Sequence, residues 1–375
     1  MSPLSGFGAA LFAVLLVLHG LVHLLGFAKA FGFARLPQLT QPVSPALGIV
    51  WLVAACLLFV TAAAPFLWPR WWWAFGLAAI VVSTIAIAGS WSDAKAGAFV
   101  NVIVLLGVIF GFFAQGPFSL RAQYERDVAE RVHPGTSAAP VAEADLAHLP
   151  PPVQHYLRTI GVVGQPPVHT FRVRMSGRIR NSRDARWMPL EAEQYNVLDP
   201  AARLFYLTAS MFMIPVQGYH RYVGSSASML IKAAAVVPVV NESGLAMTQA
   251  ETVTFFNDMC VLAPATLIDP AIEWEQLDAT RVRAAFTNAG HTIRADLSFN
   301  DRGELINFWS DDRYQSMPDE PARRRRWSTP LGEYRSFGAV RLASRGEGRW
   351  HEPAGDYAYI EITFDDVAYN VAPRR

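Results

Sequence analysis

His19 and His23 stand four residues apart in an otherwise apolar run, a spacing that stacks two imidazoles on one helix face. In a membrane such a pair could share a metal, ligate haem, relay protons or hydrogen-bond to Asn101, Ser83 or Thr84 on other spans. A zinc site needs further ligands, and the apolar runs supply no Asp, Glu or third His, so no metal is expected. A second constellation lies in the polar half. Glu251, Asn257 and Asp258 share one helical stretch, and Asp258 with a histidine such as His220 would suit general acid–base work if the two came within hydrogen-bond reach. The third is Met211-Phe212-Met213, whose flexible, polarizable side chains suit the lining of a pocket for an acyl chain or another lipophilic ligand, with Phe256 and Met259 as further lining.

The elements that must position these groups differ sharply along the chain. Only Lys29, Arg35, Arg70, Asp93 and Lys95 are charged among the first 116 residues, which leaves 28 basic and 30 acidic residues for the remainder. That balance is no nucleic-acid footprint. A bilayer core of about 30 Å takes roughly 20 apolar residues, and four windows meet or approach that length: Gly6–Gly26, Leu47–Leu67, Trp72–Ser90 and Ala98–Ala114. The first is too long for a signal-peptide core and lacks a basic segment before it, so it reads as a retained helix. Trp68, Trp71, Trp72, Trp73 and Trp91 fall at window ends, where indoles prefer the headgroup level, and Pro45, Pro65 and Pro69 punctuate the ends of the second window. Gly107 and Gly111 form a GxxxG spacing in the fourth window, which serves packing within the bundle or the seam of a homodimer. Basic residues number four on the side of the termini and three on the other, so the side of the polar half stays open. Cys56 in an apolar run and Cys260 in the polar half are placed too differently to suggest a disulfide.

Tyr124, Val128 and Val132 recur every four residues and predict a short amphipathic helix, followed by a Pro/Ala/Gly/Ser linker over 133–140. Val153, Tyr156, Leu157 and Ile160 mark one face of a helix that starts at the Pro150–Pro152 run and stops at Gly161. Period-two alternation dominates afterwards, as in Phe171, Val173 and Met175 or Ile293, Ala295, Leu297 and Phe299, and about ten strands are expected. Short turns such as Asn300–Gly303 and Glu352–Gly355 make the sheet antiparallel. One helix interrupts the strands, with Thr248 and Glu251 read as its capping box and Val253, Phe256, Met259 and Cys260 on its apolar side. A sheet that hides one face against one helix can leave an apolar hollow beneath it. Arg323–Arg326 before Trp327 reads as a solvated loop, with contact to anionic headgroups as the alternative, and Asp311-Asp312-Arg313 reads as a turn.

The fold class expected is α+β: a four-helix transmembrane bundle over residues 1–118, an amphipathic helix and linker over 119–144, and an antiparallel β half-barrel-like domain with one or two packed helices over 145–375. The segments His19–Phe27, Trp91–Gly97, Glu251–Met259, Ser310–Tyr314 and Asp366–Asn370 resemble an uncharacterised family of bacterial inner-membrane proteins with four N-terminal spans and a β-rich C-terminal domain. The resemblance implies multi-pass placement in the inner (plasma) membrane and brings no activity, cofactor or catalytic residue. More distantly, a curved sheet around a helix is similar to the half-barrel of bacterial lipoprotein-carrier domains, which implies an apolar hollow for acyl chains. The expectation is a membrane-anchored protein that binds membrane lipids or a lipophilic small molecule without covalent chemistry or cofactor. The alternatives are a membrane enzyme or redox protein using the His pair, and an envelope scaffold.

Overall fold

The computed structural model describes residues 6–37, 39–135, 138–211, 214–317 and 320–373. The chain divides into two compact units, Met1–Gln123 and, for the most part, Tyr124–Arg375.

The first unit is helical: α1 (Gly6–Ala30), α2 (Pro45–Leu67), α3 (Trp72–Ala88), the short α4 (Trp91–Ala94) and α5 (Ala96–Gln115). Ser44 caps α2 by accepting from Leu47 N at 3.2 Å, Pro45 takes its first position, and Pro65 sits in its last turn. Three of these helices, not four, are long and apolar enough to cross a membrane: α1, α2 and the one that begins at Ala96. α3 has 17 residues, about 26 Å at 1.5 Å per residue, because the chain leaves the helix at Gly89 and turns into α4. Small residues set the spacing between helices. A Cβ on Gly107 would lie 2.6 Å from the Phe12 ring, and one on Gly111 would enter the Trp72 ring. Both glycines are thus occupied inside the bundle, and their spacing no longer points to a homodimer seam.

The second unit begins in α6 (Leu120–Arg131), continues through α7 (Pro151–Thr159), and then forms one antiparallel sheet. Its strands are β1 (Thr170–Ile179), β2 (Met188–Val197), β3 (Ala202–Met211), β4 (Ile214–Val223), β5 (Ser226–Ala233) and β6 (Val237–Ser243), then β7 (Glu273–Gln276), β8 (Arg281–Asn288), β9 (His291–Phe299), β10 (Leu305–Met317), β11 (Glu320–Phe337), β12 (Val340–Glu352) and β13 (Gly355–Tyr369). Between β6 and β7 lies α8 (Leu245–Leu262). The thirteen strands run β6-β5-β4-β3-β2-β1-β13-β12-β11-β10-β9-β8-β7, two meanders joined where β1 pairs with β13. α8 therefore links the two outermost strands.

The sheet must wrap around that helix. Arg203 on β3 and Phe286 on β8 both touch α8, yet eight strand spacings separate β3 from β8, about 38 Å on a flat sheet against a helix about 10–12 Å wide. The wrap goes far enough for Asn288 on β8 to donate to Gly224 O beside β4 at 3.1 Å. Glycines in the strands permit the bend: at Gly177 a Cβ would collide with the Glu361 carbonyl, and at Gly348 it would lie 2.6 Å from Ile360. The core forms between α7, α8 and the enclosed face, with Tyr156, Phe171, Phe255, Phe256 and Phe308 almost fully buried.

Three sequence readings change here. Arg323–Arg326 are in strand β11 rather than a loop, and Asp311 and Asp312 sit at a register shift in β10 rather than in a turn. The two segments pair across the strands: Arg326 holds Asp311 through two bonds of 2.9 and 2.8 Å, and Arg324 pairs with Asp312. α8 starts three residues before Thr248, after Gly244 at φ +94°, so Glu251 is no cap. The Thr248 hydroxyl donates to Gly244 O instead.

Candidate functional site

α8 is buried on every side: fourteen of its eighteen residues are inaccessible, among them Thr248, Glu251, Thr252, Thr254, Asn257 and Asp258. Polar groups at such a place need partners, and strands β2 to β4 supply them. Arg203 spreads its guanidinium over two carboxylates two helical turns apart, Nε donating to Asp258 Oδ2 at 2.7 Å and Nη1 to Glu251 Oε2 at 3.1 Å. Its Nη2 donates to Gln194 Oε1 at 3.0 Å, and Gln194 Nε2 donates to Asp258 Oδ2 at 2.7 Å and to Asn196 Oδ1 at 2.6 Å. Burial opposes ionisation of both carboxyls, with different results. At Glu251 the charges of Arg203, His220 and Arg313 outweigh it and hold the group below its ordinary value, whereas at Asp258 burial prevails over Arg203 and Gln194 and raises the group. His220 is brought to Glu251 rather than to Asp258, 4.0 Å from its Oε1, and burial lowers its imidazole to about 4. The Asp258–His220 pair that general acid–base work would need does not form, because Arg203 and Gln194 already occupy Asp258. Asn257 is buried, and its Oδ1 has no hydrogen-bond partner.

Beyond α8 the same face of the sheet turns apolar. Registers across β12, β13, β1, β2 and β3 align Gly346, Ile362, Gly177, Leu190 and Ala209 in one row, and Gly348, Ile360, Ile179 and Met188 in the next. Continuing the β2–β3 pairing by two residues places Met211 at the end of the second row. Ile362, Ala209, Ile360, Ile179, Met188 and Met211 are all half-buried. The opposite face of the same strands is polar: Arg178 grips Glu361 at 2.7 and 2.9 Å, and Ser176 donates to Asp365 at 3.0 Å. Over β2 to β4 that outer face is covered by α6, where Tyr124 donates to Glu193 at 3.0 Å and Arg221 and Tyr219 donate to Asp127.

Met211 thus has the half-exposed position expected of a ligand-lining residue, while Phe212 and Met213 lie outside the described residues. Phe256 and Met259 are 0 % and 2 % exposed and belong to the core, Phe256 stacking on Phe286 at 5.0 Å and meeting Phe308 at 6.1 Å. The helix fills its part of the hollow, so these two side chains are consumed by packing. Sequence reasoning missed Arg203, Gln194 and Asn196. They share strand parity with Phe205 and Leu207 on β3 and with Leu190 and Ala192 on β2, so a charged or amide side chain on the dry side of an alternating strand was the available signal.

In the helical unit, His19, His23 and Asn101 meet as expected. His23 Nδ1 donates to His19 O at 3.0 Å, His19 Nε2 donates to Asn101 Oδ1 at 3.0 Å, and Asn101 Nδ2 donates to Thr84 at 3.1 Å. Ser83 Oγ lies 2.9 Å from both His23 Nε2 and Asn101 Oδ1, one proton between two acceptors. Both imidazole Nε2 atoms are therefore engaged in hydrogen bonds. Among the described residues no three His, Cys, Asp or Glu side chains gather to hold a metal.

A profile of a family of unknown function, DUF6544, matches residues 139–362, more than half of the chain, and the chain belongs to that family. No curated protein matches the sequence. Among solved structures, it is similar to a candidate outer-membrane lipoprotein-sorting domain from Vibrio parahaemolyticus, at 7% identity over 55% of this chain and 87% of that one, with a TM-score of 0.33. A DUF1329 family protein from Desulfovibrio piger is 10% identical over 62% and 95% of the two chains, with a TM-score of 0.32. A LolA-superfamily protein from Nitrosomonas europaea is 10% identical over 58% and 93%, with a TM-score of 0.29. Superpositions this loose carry no argument about ligands.

Proposed function

We propose that this DUF6544 member is a membrane-anchored binding protein whose β-unit holds a lipophilic or amphipathic molecule against the two apolar rows that end at Ala209 and Met211. The observation that carries the reading is the contrast between faces: six half-buried apolar side chains in register on the enclosed face, and ion pairs on the outer face of the same strands. Burying such side chains fully against a ligand is worth about 25 cal/mol per Å² of apolar surface removed from water. Binding rather than a covalent reaction suits the neighbouring polar cluster, because Arg203 already holds Glu251 and Asp258. The three long apolar helices support the anchor, and a tether of that kind keeps a binding domain at high effective concentration beside membrane-derived ligands.

Native mass spectrometry of the full chain in detergent tests the reading. The wild-type protein is expected to carry a co-purifying lipophilic mass, and a Met188→Asp/Met211→Asp variant to lose it while keeping its thermal midpoint within a few degrees. Retention of that mass by the folded variant, or its absence from the wild type, overturns the proposal.

A further inference from the structure

The enclosed face also carries a guanidinium, Arg313, that forms no salt bridge among the described residues although its charge is felt by Glu251, and it stands near the apolar rows. Arg313 on β10 donates through Nη1 to Ala250 O of α8 at 2.9 Å and to the Thr254 hydroxyl, and its guanidinium lies over the Trp327 ring at 4.6 Å and the Trp350 ring at 5.7 Å. Among the described residues no carboxylate pairs with it: Glu251 Oε2 takes Arg203, and Glu251 Oε1 faces His220. The Arg313 Nε is buried and has no acceptor. The indole Nε1 of Trp327, a residue 4 % exposed, is a second buried donor without an acceptor. A buried donor without an acceptor costs free energy, and two of them beside one guanidinium that makes no salt bridge mark a place for an acceptor that carries negative charge. Contacts join this spot to the rows, since Trp350 stacks on Tyr359 at 5.8 Å, and at the register shift of β12 the Tyr359 ring and Ile360 both lie over Gly348, where a Cβ would be 2.9 and 2.6 Å from them.

Resting on the ligand reading above, we propose that the bound molecule is an anionic amphiphile: its acid group, carboxylate or phosphate, is received by Arg313 Nε and Trp327 Nε1, and its chain lies along the apolar rows. Arg313 is fixed by α8 and two indoles before any ligand arrives, so little side-chain freedom is lost on binding. The acid completes a cluster in which Arg203 already satisfies the protein's own carboxylates.

The test is fluorescence titration of the full chain in detergent with dansylated undecanoic acid and with its methyl ester. The acid is expected to bind about tenfold or more tightly than the ester, the scale of one charge-assisted contact. Arg313→Gln should bring the two affinities together, Arg313→Lys should keep much of the preference, and Trp327→Phe, which preserves an aromatic platform, should weaken the acid alone. Ester binding reports that each variant is folded. Displacement of the probe by dodecanoate or by dodecyl phosphate tells which acid the site prefers. Equal binding of acid and ester by the wild type, or a preference that survives Arg313→Gln, overturns the anionic assignment while leaving lipophilic binding intact. Binding of neither probe overturns both.

Discussion

Each unit buries a polar network, and the two are built on opposite principles. In the helices, His19, His23, Ser83, Asn101 and Thr84 form a network that includes no carboxylate, lysine or arginine. The β-unit instead buries full charges and arranges them around a single fork, Arg203, each of whose nitrogens meets a different acceptor. The contrast concerns proton supply. Ser83 has one proton for two acceptors, so the helical network holds alternatives open, whereas the rigid donors of Arg203 fix the geometry of Gln194, Glu251 and Asp258 in one pattern.

The strongest way to break this contrast is Arg203→Met, which strands two buried carboxylates. A loss of about 3–5 kcal/mol is expected, read as the urea midpoint of the full chain in detergent, with Glu251→Gln/Asp258→Asn added to the same background restoring more than half of it. Next in size is a pH effect. His220 has a folded value of about 4 against an ordinary 6.5, so the unfolded chain takes up its proton first as pH falls. The stability it contributes is complete above 6.5 and is lost as pH falls toward about 4, by as much as about 3 kcal/mol. His220→Phe should flatten that acid limb in unfolding curves collected at pH 7, 5.5 and 4. The two carboxyls act in opposite senses as pH falls, Glu251 losing stability on protonation and Asp258 gaining it, so the histidine is read from the difference between the wild-type and His220→Phe curves. The smallest effect belongs to the helices: Ser83→Ala should cost about 1 kcal/mol in detergent unfolding, the scale of one hydrogen bond between apolar helices. A loss as large as that of Arg203→Met would erase the distinction between the networks.

Much of this architecture is legible in the residues themselves. Alternation over Phe171–Met175 and Ile293–Phe299 marks strands because one face is dry, and Tyr124, Val128 and Val132 mark α6 because all three are buried. β11 is illegible because four consecutive arginines hide the parity of the strand, and the carboxylate partners of Arg324 and Arg326 lie on β10, out of sight of local pattern. β7 is only four residues long and mostly exposed. The Trp72–Ser90 window reads as a span, yet its helix has only 17 residues and ends at Ala88, just before the polar Ser90–Lys95 stretch. Met211 was singled out because the composition around it is unusual. Arg203 and Arg313 were not, since a lone arginine in a strand reads as its wet side unless the neighbours' parity is followed.

The pairing of β1 with β13 joins strands that are synthesised far apart in time. Arg178 and Glu361, which seal that pairing from outside, are 183 positions apart, so β1 leaves the ribosome long before its neighbour exists. During that interval the nascent sheet exposes a bare strand, and a message cut short anywhere before β13 yields a polypeptide whose first meander has no lock.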